Sequence, residues 1–248
     1  MYSRLDVAVT QLSGLSRSAA KELITSGNVR VNGTIVTKPG LQVNPDDTIE
    51  YTLPDITFVS RGGYKLLAAL EAFNINLHDR VCLDVGASTG GFTDCMLQHG
   101  ACLVYAIDVG TAQLHPTLRA DTRVHSLENT NILDITLHHF SPIPTFATVD
   151  VSFVSSTKIL PHLTSLNSLE QIIVLVKPQF EVGKSNLSKS GIVRNEKSRI
   201  KALDTVIQAG KSAGLHFCDA IESPVSGGDG NIEYLALFSN KSSYSKKD

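Results

Sequence analysis

Two different periodicities divide this chain. Over residues 4–27, RLDVAVTQLSGLSRSAAKELITSG, apolar residues recur at helical steps. Leu5, Ala8, Val9 and Leu12 share one face, and Ala19, Ala20, Leu23 and Ile24 share another. Gly14 breaks the first helix, Ser16 is placed to cap the second, and Gly27 ends it. The valines of VRVNGTIV then alternate around Asn32-Gly33, a dipeptide suited to a two-residue hairpin because both positions tolerate positive φ. KPGLQVNPDDTIEY adds turns and another short strand, so residues 1–52 predict a small α+β domain.

From residue 81 the period changes. Strands at VCLDVG, LVYAID, TRVHSL, FATVDVS, IIVLVK, LHFCDA and YLALF alternate with helices such as GFTDCMLQHG and NEKSRIKALDTVIQAGKSAG. This alternation predicts an α/β fold whose mostly parallel sheet is covered on both faces. Seven strands, the last two close together around SGGDGNIE, fit a sheet whose final strand is inserted antiparallel. The expected division is 1–52 for the small domain, 53–60 for a linker and 61–248 for the large domain.

Composition narrows the classes. With 248 residues, 42% hydrophobic and 19% charged, the chain reads as an ordinary soluble protein with a sizeable core. Its net charge of −2 gives no global basic signal, so contact with nucleic acid has to come from local patches. No apolar run approaches the roughly 18 residues of a membrane span, and the N-terminus is too polar for a secretion signal. The four cysteines, Cys82, Cys95, Cys102 and Cys218, form no CxxC pair; three lie in apolar surroundings and read as buried free thiols. A cytoplasmic protein without a metal site is expected.

Charge has local structure. Residues 1–45 set Arg4, Arg17, Lys21, Arg30 and Lys38 against Asp6 and Glu22, an excess of +3. Residues 181–201 set Lys184, Lys189, Arg194, Lys197, Arg199 and Lys201 against Glu181 and Glu196, an excess of +4. Solvated helix faces would look much the same, but both patches also suit RNA phosphates.

Ligands of open α/β sheets collect at the carboxyl ends of the strands. The first strand runs into LDVGASTGGFTD, where Gly86, Gly90 and Gly91 let the backbone turn sharply and approach a ligand. This loop lacks the GxGxxG of dinucleotide-binding folds. The second strand ends in AIDVG, which places Asp108 where a carboxylate can take a ribose diol. Asn129 and Asn131 in ENTNI end the third strand region, where asparagines usually serve turns. Asp150 ends FATVD, Lys177 ends the aliphatic run IIVLV before Pro178, and Glu233 begins the last strand. Lys65 stands at the edge of the apolar stripe Leu66, Leu67, Leu70 and Phe73 on the helix before the first strand.

Several of these strings carry a resemblance. RLD…SRSAAKELITSGNVRVNG…KPG resembles the small RNA-binding domain named after ribosomal protein S-four. LDVGASTGG with AIDVG resembles the first two motifs of Rossmann-like, seven-stranded S-adenosylmethionine-dependent methyltransferases. That likeness implies S-adenosylmethionine as cofactor, with Gly86 beneath it, Asp84 supporting the loop and Asp108 on the ribose. Ser88, Gly90, Gly91 and Phe92 of the same loop are implied contacts, and Asn129 and Asn131 fall where the family holds adenine. Lys65, Asp150, Lys177 and Glu233 resemble, in order, the tetrad of the FtsJ-like ribose 2′-O-methyltransferases.

A ribose hydroxyl must lose its proton as it attacks a sulfonium methyl, and a lysine takes that proton only when neutral. The expected arrangement has Lys177 as base, the second lysine repelling its charge and the carboxylates orienting both amines. VSRGGYKL, LDVGASTGGFTD, QLHPTLR, VDVSFVS and LVKPQFEVGK together resemble the TlyA family along nearly the whole chain. That family is described as rRNA cytidine 2′-O-methyltransferases, and many members also carry the name haemolysin. The resemblance implies ribosomal RNA or ribosomal subunits as partner, contacted through Arg4, Arg17, Lys21, Arg30, Lys184, Lys189 and Arg194. A monomer is expected. The competing expectations are a membrane-active haemolysin, which would lyse liposomes, and a non-catalytic ribosome-binding module, against which the tetrad argues.

Overall fold

The computed structural model of the chain describes residues 3–15, 17–52, 57–183, 187–188 and 190–240. It divides into two compact units, Met1–Arg61 and Gly62–Asp248.

The first unit holds β1 (Ser3–Arg4), α1 (Leu5–Ser13), α2 (Arg17–Thr25), β2 (Val29–Val31), β3 (Thr34–Ile35), β4 (Gln42–Val43) and β5 (Ile49–Tyr51). Gly14 ends α1 in the left-handed region at φ 73° and donates its N–H to the Thr10 carbonyl. Ser16, the expected cap of α2, lies outside the described residues. Asn32 (φ 51°) and Gly33 (φ 77°) form the turn between β2 and β3, with Val31 opposite Thr34. β2 is central in the sheet β3-β2-β5, and β1 pairs with β4. Leu5, Val9, Ala20, Leu23, Ile24, Val29, Val31 and Val43 make the core. Leu12 departs from the expected stripe and is 57% exposed. Val9 is the last α1 residue in the core, and the final turn runs past it.

The second unit contains β6 (Val81–Val85), β7 (Leu103–Ile107), β8 (Val124–Leu127), β9 (Phe146–Val149), β10 (Gln171–Val176), β11 (His216–Glu222) and β12 (Tyr234–Ser239). Its helices are α3 (Gly62–Ala72), α4 (Gly91–Gln98), α5 (Pro116–Arg119), α6 (Leu160–Ser165), α7 (Pro178–Glu181) and α8 (Glu196–Ser212). The sheet order is β11-β12-β10-β9-β6-β7-β8. β12 runs antiparallel between β10 and β11, as the short SGGDGNIE connection requires, and the pairs from β10 through β8 are parallel. β6 lies between β7 and β9, so the strand order reverses there and opens a crevice at the carboxyl edge. Ile172–Val176 are all buried, which explains their unbroken aliphatic run.

The four cysteines are free, but only Cys82 and Cys95 are buried; Cys102 is exposed and Cys218 is half-buried. Cys102 starts the connection into β7 at the surface, and Cys218 falls where β11, the edge strand, shifts register against β12. Among the described residues no helix is long and apolar enough to cross a membrane.

Candidate active site

The turn after β6 is built on glycine. Gly86 has φ 86°, and a Cβ there would lie 2.3 Å from the Asp150 carbonyl oxygen. Gly90 has φ 93°, and its Cβ would meet Leu118 at 2.3 Å. A side chain at Gly86 would have to displace backbone, and one at Gly90 would take a left-handed φ and push aside the Leu114 and Leu118 side chains. Beneath the turn, Asp84 is fully buried and accepts hydrogen bonds from the Thr93 hydroxyl at 2.6 Å and the Thr148 hydroxyl at 2.9 Å. Burial pushes its carboxyl up to about 6, against the pull of those two donors.

Asp108, half-buried at the end of β7, staples two loops. The Ser88 N–H donates to Oδ2 and the Gly110 N–H to Oδ1, each at 2.7 Å. Each oxygen keeps a further lone pair for a hydroxyl. Ser88 is exposed beside it, whereas Gly90 and Gly91 are buried. Phe92 is buried in the first turn of α4. Asn129 is exposed at φ 51° with its N–H on the Gly110 carbonyl. Asn131 commits its side-chain oxygen to the Leu133 N–H, capping a short 3-10 turn.

The four charged residues meet the same edge through topology. Val176 of β10 pairs with Tyr234 of β12, so Lys177 and Glu233 leave their strands side by side. Asp150 follows β9, whose Val149 pairs with Val174 and Val85, and its N–H donates to the Val85 carbonyl. Lys65 arrives from α3, only 8% exposed and thus inside the buried stripe, not at its edge. Its Nζ donates to Glu233 Oε2 at 2.5 Å. Lys177 Nζ lies 2.5 Å from Asp150 Oδ1, an ion pair without hydrogen-bond alignment, and donates to Ser152 Oγ at 3.0 Å. Each amine thus has a carboxylate as its partner. Gly227 adds a constraint, since a Cβ there would lie 2.5 Å from Glu233 Oε1.

Sequence reasoning assigned no role to Ser152, Gly227, Thr93 or Thr148. Ser152 lies inside the VDVSFVS motif, which was the available signal. Thr93 and Thr148 lie in LDVGASTGGFTD and FATVDVS, but nothing in those strings ties them to Asp84.

In the first unit, Asp6 is fully buried and accepts from Arg4 Nε at 2.9 Å, from a terminal nitrogen of Arg4 at 3.1 Å, and from Arg17 Nε at 3.1 Å. The Arg4 guanidinium, with that of Arg17 behind it, holds the Asp6 carboxyl down at about 2. Lys21 and Arg30 are exposed, and Arg30 donates to the Gly33 carbonyl. In the second unit Arg194 is exposed, while Lys184 and Lys189 lie outside the described residues. Arg199 donates to the carbonyls of Val193 and Arg194, tying a loop. The described residues hold no cluster suited to a metal ion.

Known proteins share both units. Residues 58–240 match the FtsJ-like methyltransferase family and residues 3–49 the S4 domain. Hemolysin A of Brachyspira hyodysenteriae is 46% identical over 225 residues, covering 90% of this chain and 93% of that protein. The 16S/23S rRNA (cytidine-2′-O)-methyltransferase TlyA of Mycobacterium tuberculosis is 41% identical over 224 residues, covering 89% and 83%. A solved structure from Streptococcus thermophilus, named as a hemolysin, superposes with a TM-score of 0.74 at 41% identity, covering 98% of this chain and 90% of that one. A seven-stranded sheet with its last strand inserted antiparallel, preceded in the sequence by an S4 domain, thus accompanies close identity in sequence: the chain belongs to the TlyA family of FtsJ-like methyltransferases.

Proposed function

We propose that this enzyme transfers a methyl group from S-adenosylmethionine to the ribose 2′-hydroxyl of a cytidine in ribosomal RNA. The observation that carries the reading is the meeting of two lysine–carboxylate pairs at one sheet edge, beside a loop that only glycine can form. The relatives' names supply the nucleotide and the RNA class. An exposed Ser88 and an Asp108 carboxylate with spare lone pairs fit the polar end of a nucleoside. Bound there, S-adenosylmethionine supplies an electrophilic methyl.

The chain's own residues then handle the proton. Lys177, once its own proton has passed to water, takes the 2′-hydroxyl proton as the oxygen attacks. Asp150 stabilises the ammonium that forms, and Ser152 accepts a hydrogen bond from it, fixing the amine's direction. Glu233 holds Lys65 beside this centre, where its positive charge favours the developing alkoxide. The proton passes to water before the next turnover. General-base assistance of this kind is worth about 10²–10⁴-fold, with positioning adding the rest.

Arg4, Arg17, Lys21 and Arg30, with Arg194 in the large unit, are read as phosphate contacts that set register on the RNA. Domain limits of 1–52 and 61–248, a monomeric state and a cytoplasmic location complete the reading. Single-turnover methyl transfer at saturating RNA tests it. Lys177→Ala should lose about 10²–10⁴-fold while keeping cofactor and RNA affinity. Lys177→Arg should rescue little, because a guanidinium stays protonated. Near-normal turnover by the arginine variant would leave Lys177 only a charge and send the search for the base elsewhere.

A further inference from the structure

The strings VDVSFVS and KPQFEVGK hold two residues used above, Asp150 and Lys177, and several that are not. Glu181 is one of these. It sits four residues beyond Lys177, at the end of α7, and spends both carboxylate oxygens on the loop that follows β9. Ser155 Oγ donates to Oε2 at 2.5 Å, and the Ser156 N–H donates to Oε1 at 3.0 Å. The same loop reaches Lys177 from its other end, through Asp150 and Ser152. Between the two sets of contacts, the rings of Phe153 and Phe180 meet at 5.3 Å.

These links close a ring. It runs from Lys177 along α7 to Glu181, across to Ser155, back along the loop to Ser152, and across to Lys177 again. The loop needs such restraint, because Phe153 holds φ 66° while 93% exposed. A bulky residue in the left-handed region persists only where its surroundings over-determine it, and burial does not supply that here. We infer that Glu181 is a positioning residue for Lys177. It pins the 150–156 loop from the far side, so that Asp150 and Ser152 meet the amine in one geometry. The inference rests on the reading of Lys177 as the base.

The bland alternative is that Glu181 merely caps the short turn at Ser156–Lys158. The two differ in what Glu181→Ala changes. If it positions the base, the single-turnover rate of the full chain at saturating RNA should fall about 10–100-fold, the scale of a small misplacement of a reacting group. Cofactor affinity by calorimetry and the KM for RNA should stay within about two-fold. Glu181→Gln should recover most of the rate, because its amide oxygen accepts from the Ser156 N–H and its NH2 donates to Ser155 Oγ. Ser155→Ala removes one of the two contacts without touching charge, should cost less than Glu181→Ala, and stands in if that variant melts. A rate within about two-fold of the parent, a loss confined to KM, or a glutamine no better than alanine overturns the inference. Lys177→Ala is the control. If it stays active, the base assignment fails whatever Glu181 does; if it is dead while Glu181→Ala is normal, only the positioning role fails.

Discussion

Asp6 in the small unit and Asp84 in the large one are both fully buried, yet their acidities are driven apart. Asp6 faces two guanidiniums and is held down at about 2. Asp84 faces two hydroxyls and is pushed up to about 6. Burial alone raises a carboxyl; a cation within hydrogen-bond reach reverses the sign. The contrast extends to the cations. Arg4 and Arg17 lean on Asp6 but keep 44% and 55% of their side-chain surface in solvent. Lys65 and Lys177 keep 10% and 13% and face carboxylates inside the sheet edge. One unit turns its charge outward, as docking on phosphates requires. The other withdraws it from water, where charge acts strongly on a reacting group.

The largest test of that contrast concerns inward charge. Glu233→Ala leaves the Lys65 amine buried without its carboxylate, and breaking a buried pair from one side costs about 3–5 kcal/mol. Denaturant unfolding should show this loss, and Glu233→Gln, which keeps an acceptor, should show less. Asp6→Ala strands two guanidiniums that already reach water and should cost less than Glu233→Ala. Equal losses would mean that exposure of the cation does not matter.

Next comes Asp84. Its folded carboxyl titrates above the unfolded value of about 4, so its contribution to stability is complete below that pH and is lost as pH rises through about 6. The gap between those two values is worth about 3 kcal/mol. Asp84→Asn cannot ionise, keeps hydrogen-bonding partners for Thr93 and Thr148, and escapes that loss. Its melting temperature relative to the parent should therefore climb as pH rises from about 4 to about 8. A difference that stays flat with pH would remove the titration from Asp84.

Asp108 lies between these extremes, half-buried and bonded to the backbone N–H groups of Ser88 and Gly110. Asp108→Ala should weaken S-adenosylmethionine binding by about 1.5–3 kcal/mol, the worth of a charge-assisted hydrogen bond. Unchanged affinity by calorimetry would confine Asp108 to holding the loops.

What is legible in the sequence follows the same line between local and distant. Asn32-Gly33 announces its hairpin because both residues must take positive φ, a local demand. Lys177 is conspicuous because Pro178 ends a strand buried on both faces. The α/β alternation marks the edge where Asp150 and Glu233 emerge. Lys65 reads as a rim residue of its helix, because the partner that draws it inward is 168 residues away. Phe92 looks like a loop residue next to three glycines, but the helical phase starting at Gly91 turns it into the core. Asn131 follows the ordinary habit of loop asparagines and caps a turn.

The smallest expected effect separates two arginines of the outward face. Arg4 is the largest contributor holding Asp6 ionised, whereas Arg30 bonds to the Gly33 carbonyl. If both reach phosphate, Arg4→Ala and Arg30→Ala should each reduce the slope of log affinity for RNA against log salt by about 1. Only Arg4→Ala should disturb Asp6. Asp6 stabilises the fold above the unfolded carboxylate pKa, and that stability is lost as pH falls toward 2. Without Arg4 the carboxyl should take up its proton at higher pH, an upward move toward the ordinary value that a carboxylate NMR titration of the full chain reads directly. Arg30→Ala should leave that titration where it is. If both variants move it equally, the outward charges act as a diffuse field and Arg4 has no special hold on Asp6. If neither changes the salt slope, these two arginines do not touch phosphate, and the small unit's outward charge serves its own fold.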